Sequence, residues 1–273
     1  MSIDLSQLVL PSVAPEGLKV LNIIANPEPN IKLLEKTILS DPTLASTLIK
    51  YANSPLYRRA HQISNVPTAI RTLGLKSIRS AVAMATMRTM MAPETAVSRA
   101  ILNHNLDIAL LSKLIARKTQ PQLADDLEFL GLIHDMGMLI LNQSFPEEYQ
   151  TLFTRAIDDK ISITTLEEEQ FELSHDIIMA AVSERFRLPE PYVDTLANYH
   201  IHKPTTSLKQ RTGHYSCILD LAHYLWPMVI DEEAFFTEVI IDSQERLGIL
   251  LDLNESQLQE IVSEARAQKQ QAD

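Results

Sequence analysis

The stretch "FLGLIHDMGMLIL", residues 129–141, constrains the fold more than any other part of the chain, because it sets a histidine beside an aspartate inside an apolar run. With Leu127 upstream, the run is long for a strand and ordinary for a buried helix. The pattern predicts a core helix over residues 125–142. Adjacent side chains on a helix point about 100° apart, so His134 is not expected to satisfy Asp135, and each needs a partner from elsewhere. A buried, unpaired carboxylate is costly enough to be protonated, paired or given a metal. Two readings follow. One is a hydrogen-bonded core cluster that holds helices in register; the other is a metal site. Gly131 and Gly137 flank the pair, and glycine inside a helix costs about 1 kcal/mol against alanine, which points to close backbone approach by a neighbouring element.

The rest of the chain carries helix signals and almost no strand signals. Ser40-Asp41-Pro42 is an N-cap followed by proline at the first helical position, with Leu44, Leu48 and Ile49 at helical spacing behind it. Ser54-Pro55 ends that helix, Val66-Pro67 begins the next, and a longer one follows Gly74 and ends before Pro93. Further helices are expected near 97–118, 146–158, 163–171, 175–186, 190–201 and 208–230. Asn254 with Gln257 reads as the capping pair of a last amphipathic helix. This is an all-α, two-lobed helical bundle: an N-terminal lobe over residues 1–92, a larger helical lobe over 93–230, and closing helices over 231–273.

Composition narrows the function. The N-terminus "MSIDLSQLVLPS" has an acid where a signal peptide carries its basic region, and no segment reaches 18 uninterrupted apolar residues, so a cytoplasmic protein without membrane contact is expected. The single cysteine, Cys217, rules out a disulfide framework and a cysteine-rich zinc site and reads as a buried apolar residue. Net charge is -11, which argues against nucleic acid as a whole-surface partner. Yet residues 42–93 hold no acid and carry +7, against -18 over the remainder. That block either presents a patch to an acidic protein partner or a small phosphorylated ligand, with Arg58, Arg59, Lys76 and Arg79 as its members, or docks electrostatically on the other lobe. Met84, Met87 and Met91 read as core packing, and "LEEEQ" at 166–170 as a solvated helix face.

Several motifs in register resemble one family. "DPTL", "ANSPLY" and "AIRTLG" in the first lobe, then His104, "GLIHDMG", Glu172 leading to His175, "RLPEPYVDTLANYH" and "ILDLAHYL" look like the HDOD (HD-related output) domains of bacterial signalling proteins, across roughly residues 11–226. The resemblance implies an all-α fold related to HD-type metal-dependent phosphohydrolases, with an HD-like second lobe, and a signalling role usually without demonstrated catalysis.

It also implies a ligand set. HD hydrolases gather a histidine, a His-Asp pair and a later aspartate around a divalent metal, which requires neutral imidazoles and carboxylates converging from separate helices. Here those positions read His104, His134, Asp135 and, where the pattern carries Ala-Asp, Ala222-His223. Asp220 lies one turn before. Three nitrogens and one carboxylate suit zinc, nickel or iron. Met138 stands where catalytic members often carry a lysine, and Tyr199-His200 where a histidine pair is usual, leaving His175 and His200 as further site candidates. The expectation is an interaction module with a degenerate HD-type site. The alternative is a phosphohydrolase acting on a nucleotide or phosphoester, with Asp135 as ligand and base.

Overall fold

Asp41 accepts hydrogen bonds from the backbone N–H groups of Thr43 and Leu44 at 2.9 and 3.0 Å, so the helix it opens, α3 (Pro42–Ala52), starts where proline and cap place it. The same logic runs through the molecule. Asn65 caps the next helix through Thr68, and Asn254 and Gln257 form a reciprocal capping box at 2.9 and 3.0 Å. The computed structural model describes residues 3–54, 57, 62–91, 94–186, 188–199, 211–230 and 247–270. It is all-α, and no strand occurs among the described residues. The remaining helices are α1 (Pro15–Ile24), α2 (Ile31–Leu39), α4 (Val66–Met90), α5 (Ala96–Thr119), α6 (Ala124–Ile133), α7 (Met136–Ser144), α8 (Pro146–Asp159), α9 (Ile163–Phe171), α10 (His175–Arg185), α11 (Glu190–Asn198), α12 (Arg211–Ile230) and α13 (Glu255–Gln270). Gly74, at φ 73°, kinks α4, a conformation glycine adopts without steric cost. Among the described residues, no helix is long and apolar enough to cross a membrane.

α5 lies at the centre, against α6 on one side and α12 and α13 on the other, while α7 packs on α10. Both glycines beside the His-Asp pair serve these contacts. A Cβ on Gly131 would sit 2.8 Å from the Ala109 Cα, and one on Gly137 would sit 2.0 Å from the His175 carbonyl oxygen. Met84, Met87 and Met91 are core, and Cys217 is buried.

One expectation needs correcting. The stretch 125–142 is not a single helix: α6 ends at Ile133 and α7 begins at Met136, with Asp135 at φ -98°, ψ 18° between them. The chain changes direction at the pair, so the two side chains converge instead of diverging, and His134 Nε2 lies 3.1 Å from Asp135 Oδ2. The i to i+1 divergence of a regular helix does not apply at a break.

The acid-free block finds acids in the second lobe. Glu128 on α6, fully buried, accepts hydrogen bonds from the Tyr51 and Tyr57 hydroxyls and pairs with buried Lys113 of α5 at 2.7 Å. Arg79, expected on an exposed patch, is a correction: it forms an ion pair with Asp126 and donates to Tyr192 Oη and the Asp125 carbonyl at 3.0 and 3.1 Å. Its guanidinium is drawn inward by Asp126, which is 5% exposed. Lys76 is exposed; Arg58 and Arg59 lie outside the described residues. Burial alone would raise the Asp126 pKa, but the Arg79 and Tyr192 hydrogen bonds outweigh it and hold the carboxyl below its usual range. A depressed folded-state pKa gives stability that is present above the unfolded value, roughly 3.9, and is lost as pH falls through the folded one. Arg79→Met should therefore cost about 1.5–3 kcal/mol at pH 7, the usual worth of hydrogen bonds to a charged group. In urea melts the gap between variant and wild type should close as Asp126 is protonated; a gap independent of pH down to acid unfolding would contradict the pairing.

Candidate metal centre

Four side chains meet where α5, α12 and the α6–α7 break come together. The ring nitrogens of His104 (α5), His134 (the break) and His223 (α12) provide ligand atoms all within 4.8 Å of one another. His134 Nε2 and His223 Nε2 are 3.1 Å apart. Asp135 Oδ2 lies 3.4 Å from His104 Nε2 and 3.1 Å from His134 Nε2. Bonds of about 2.0–2.1 Å to a tetrahedral metal place neighbouring donors about 3.3 Å apart.

The local fold decides which nitrogens face inward. His134 Nδ1 is 2.7 Å from the Gly131 carbonyl and His223 Nδ1 is 2.8 Å from the Leu219 carbonyl. A ring nitrogen facing a carbonyl must carry the hydrogen, so each Nε2 is left as a bare lone pair in the neutral ring. Burial first of all, and the neighbouring His134, press the His223 pKa down to about 4; burial likewise presses His104 down to about 3. Both rings are neutral at pH 7. Two ring nitrogens facing each other at 3.1 Å, with a carboxylate beside them, form a ligand set that a divalent cation fits. His104 differs from the other two. Its Nδ1 is buried and meets no acceptor among the described residues, and the ring is held by an edge-on contact with Trp226, centroids 4.4 Å apart.

Asp135 is 4% exposed and clamped on both oxygens. Oδ1 accepts from the Tyr199 hydroxyl and lies 3.4 Å from His175 Nε2. Burial would raise its pKa, but His134 and His175 reverse this and keep it well below the usual carboxylate range. His175 opens α10. Its Nδ1 is 2.5 Å from Glu167 Oε2, and Glu167 also takes the His175 backbone N–H at 2.9 Å and the Tyr149 hydroxyl at 2.6 Å. Burial alone would strip its proton, but Glu167 and Asp135 hold it on and raise the pKa well above the imidazole norm. With a carboxylate on each nitrogen, His175 supports Asp135 and does not face the three-histidine cluster.

Glu167 is a correction. It was expected on a solvated face, yet it is fully buried. The signal was present: Ile163, Leu166, Glu167 and Phe171 follow the i, i+3, i+4, i+8 spacing of one helix face, which places Glu167 on the packed side of α9. Of the other candidates, Asp220 is half-buried on α12 and outside the three-histidine group, and His200 lies outside the described residues. Trp226 had no sequence signal linking it to His104, because their contact joins positions on different helices.

A helical fold with a His/Asp centre of this type defines an HD-related protein. The chain belongs to the HDOD family: residues 10–202 match the HDOD domain. A candidate signal transduction protein from Marinobacter aquaeolei VT8 superposes with a TM-score of 0.69 at 20% identity, covering 96% of this chain and 59% of that one. A candidate metal-dependent phosphohydrolase from Shewanella amazonensis SB2B gives 0.68 at 17% identity, covering 96% and 92%. An uncharacterized protein of Treponema pallidum (strain Nichols) is 21% identical over 192 residues, 70% of this chain and only 37% of its own length.

Proposed function

We propose that this chain is a bacterial signalling interaction module whose HD-type centre holds a divalent metal through His104, His134, Asp135 and His223 and performs no phosphoester hydrolysis. One observation carries the reading. Asp135 is the carboxylate of the centre, with Oδ1 engaged by Tyr199 and His175 and Oδ2 beside His134 Nε2 and His104 Nε2 at 3.1 and 3.4 Å, where the metal would take it. A general base needs an acceptor within hydrogen-bond reach of the proton it takes, and here that acceptor is already committed. Met138, 6% exposed, supplies no cation at the position where a lysine would hold a phosphate. A bound divalent metal would supply Lewis acidity and polarise a bound water. What this chain's residues do is orient: the Gly131 and Leu219 carbonyls fix two imidazoles, and the Tyr149–Glu167–His175 chain fixes Asp135.

The partner reading rests on charge. Lys76 is exposed on a first lobe rich in cations, and together with Arg58 and Arg59 it would meet an acidic protein partner or a small phosphorylated ligand. Such binding should weaken with salt. An Arg58→Glu, Arg59→Glu protein with wild-type binding at low salt would remove those residues from the account.

The test of non-catalysis is direct. Protein loaded in turn with zinc, manganese, nickel or ferrous iron should hydrolyse nucleotides, cyclic dinucleotides and p-nitrophenyl phosphate no faster than the free metal. A rate that His134→Ala abolishes would establish the phosphohydrolase instead.

A further inference from the structure

His104 lacks the anchor that the other two rings have. His134 and His223 each set a ring nitrogen against a backbone carbonyl, whereas His104 Nδ1 meets no acceptor among the described residues. The ring packs instead against the edge of the Trp226 indole, 4.4 Å between centroids, nearer than His134 at 5.2 Å or His223 at 5.4 Å. That indole is fixed in turn. Its Nε1–H donates to Asp107 Oδ2 at 3.1 Å, and the same oxygen accepts from Lys269 Nζ at 2.5 Å. Asp107 stands on α5 three residues after His104, on the same helix face, so one helix carries both the ligand and the support of its neighbour. Lys269 comes from the last turn of α13.

We propose that Asp107 and Lys269 are positioning residues for His104, acting through the Trp226 indole, and that α13 thereby sets the affinity of the metal centre. The second half rests on the metal reading of the centre; the first does not. The Asp107 side chain is 12% exposed, and a carboxylate so far out of water needs a cation or donors. Lys269 is that cation, and by pinning Oδ2 it keeps the oxygen aimed at the indole instead of turned to solvent. Trp226 needs the anchor because Pro227 follows it inside α12. Proline has no N–H to donate to the His223 carbonyl four residues back, so the helical ladder is interrupted at the indole. Past the proline, Arg266 Nε of α13 donates to the Met228 carbonyl at 2.7 Å. The last helix therefore holds the end of α12 at the backbone and, through Asp107, at the indole. Trp226 and Lys269 both lie beyond residues 10–202, outside the part of the chain that matches the HDOD domain.

Trp226 is the only tryptophan in the chain, so its indole N–H gives a single resonance in a 1H–15N spectrum. In metal-free protein, Asp107→Ala should speed exchange of that hydrogen with water. Asp107→Ala and Lys269→Met should both shift the His104 ring protons, which lie in the ring-current field of the indole, and Lys269→Arg, which keeps the cation, should restore them. Glu260→Gln is the control: it breaks a second ion pair between α13 and α5, to Lys118 at 2.8 Å, and should leave the His104 signals in place. In cobalt titrations Asp107→Ala should weaken binding by about tenfold, the low end of the range for losing an outer-shell support. In His104→Ala protein the same change should weaken it no further, because the effect runs through that ring. His104 signals that stay put in folded Asp107→Ala and Lys269→Met proteins would overturn the proposal. So would an equal shift in Glu260→Gln, or a tenfold loss that persists without His104. Should Asp107→Ala not fold, Lys269→Met and Lys269→Arg decide. Wild-type protein that binds no cobalt would overturn the metal reading and the affinity half with it, and the metal-free spectra would then decide the positioning by themselves.

Discussion

Lys113→Met is expected to lower the free energy of unfolding by about 3–5 kcal/mol, the usual cost of removing one partner of a buried ion pair. Lys113 is 2% exposed and Glu128 is fully buried, so the carboxylate left behind has no access to water. The loss would extend beyond one bond. Lys113 Nζ also donates to the Tyr57 hydroxyl at 2.5 Å and lies over its ring, 4.1 Å from the centroid, while Tyr57 donates to Glu128. The cluster joins Tyr51 of α3 and the segment after it to α5 and α6, so its loss should loosen the first lobe from the second. Lys113→Met combined with Glu128→Leu removes both charges together, and should cost less than the two single changes added. Urea melts of the four proteins measure this coupling. Strict additivity would show that the pair does not interact.

Gly137→Ala should have the next largest effect. The added Cβ would lie 2.0 Å from the His175 carbonyl oxygen and 2.8 Å from its carbonyl carbon, both backbone atoms that no rotamer change can move. α7 or α10 must shift, at a cost at the top of the roughly 1–3 kcal/mol usual for overpacking or above it. Because His175 faces Asp135 Oδ1 at 3.4 Å, the shift should also displace the carboxylate, so metal affinity and stability should fall together. A melting temperature within about 2 °C of wild type, less than the shift 1 kcal/mol gives a domain this size, would mean the helices part without strain.

Local signals reached far into this fold because short-range chemistry sets its helices. Caps at Asp41 and Asn254 and prolines near helix starts, as in Val66-Pro67, are decided within a few residues, so their helices were legible. Gly131 and Gly137 announced close packing, though not against which helix. The break at His134–Asp135 was not legible: an apolar run hides a change of direction that tertiary packing imposes. Nor were the partners of Arg79, 46 to 113 residues away along the chain, or those of Glu128, 15 to 77 residues away. Glu167 was misread because its acidic neighbours outweighed its place in the helical spacing. The resemblance to HDOD domains brought His104, His134, Asp135 and His223 together on paper and named His175 as a further candidate; the contacts of Trp226 and Tyr199, and Glu167 as the partner of His175, came only from the three-dimensional arrangement.

The central claim is that three imidazoles and Asp135 form one cation site, and a cobalt titration tests it most directly. Metal-stripped wild-type protein should bind one Co2+, observed by calorimetry and by the visible absorption of the low-symmetry ion. His134→Ala and His223→Ala, each removing a ring anchored by a backbone carbonyl, should weaken binding by about 10- to 100-fold or more, the range known for losing even an outer-shell support. His104→Ala should weaken it less, because that ring lacks a partner on Nδ1. Stoichiometric binding with unchanged affinity in His134→Ala and His223→Ala, or no binding by the folded wild type, would contradict the account.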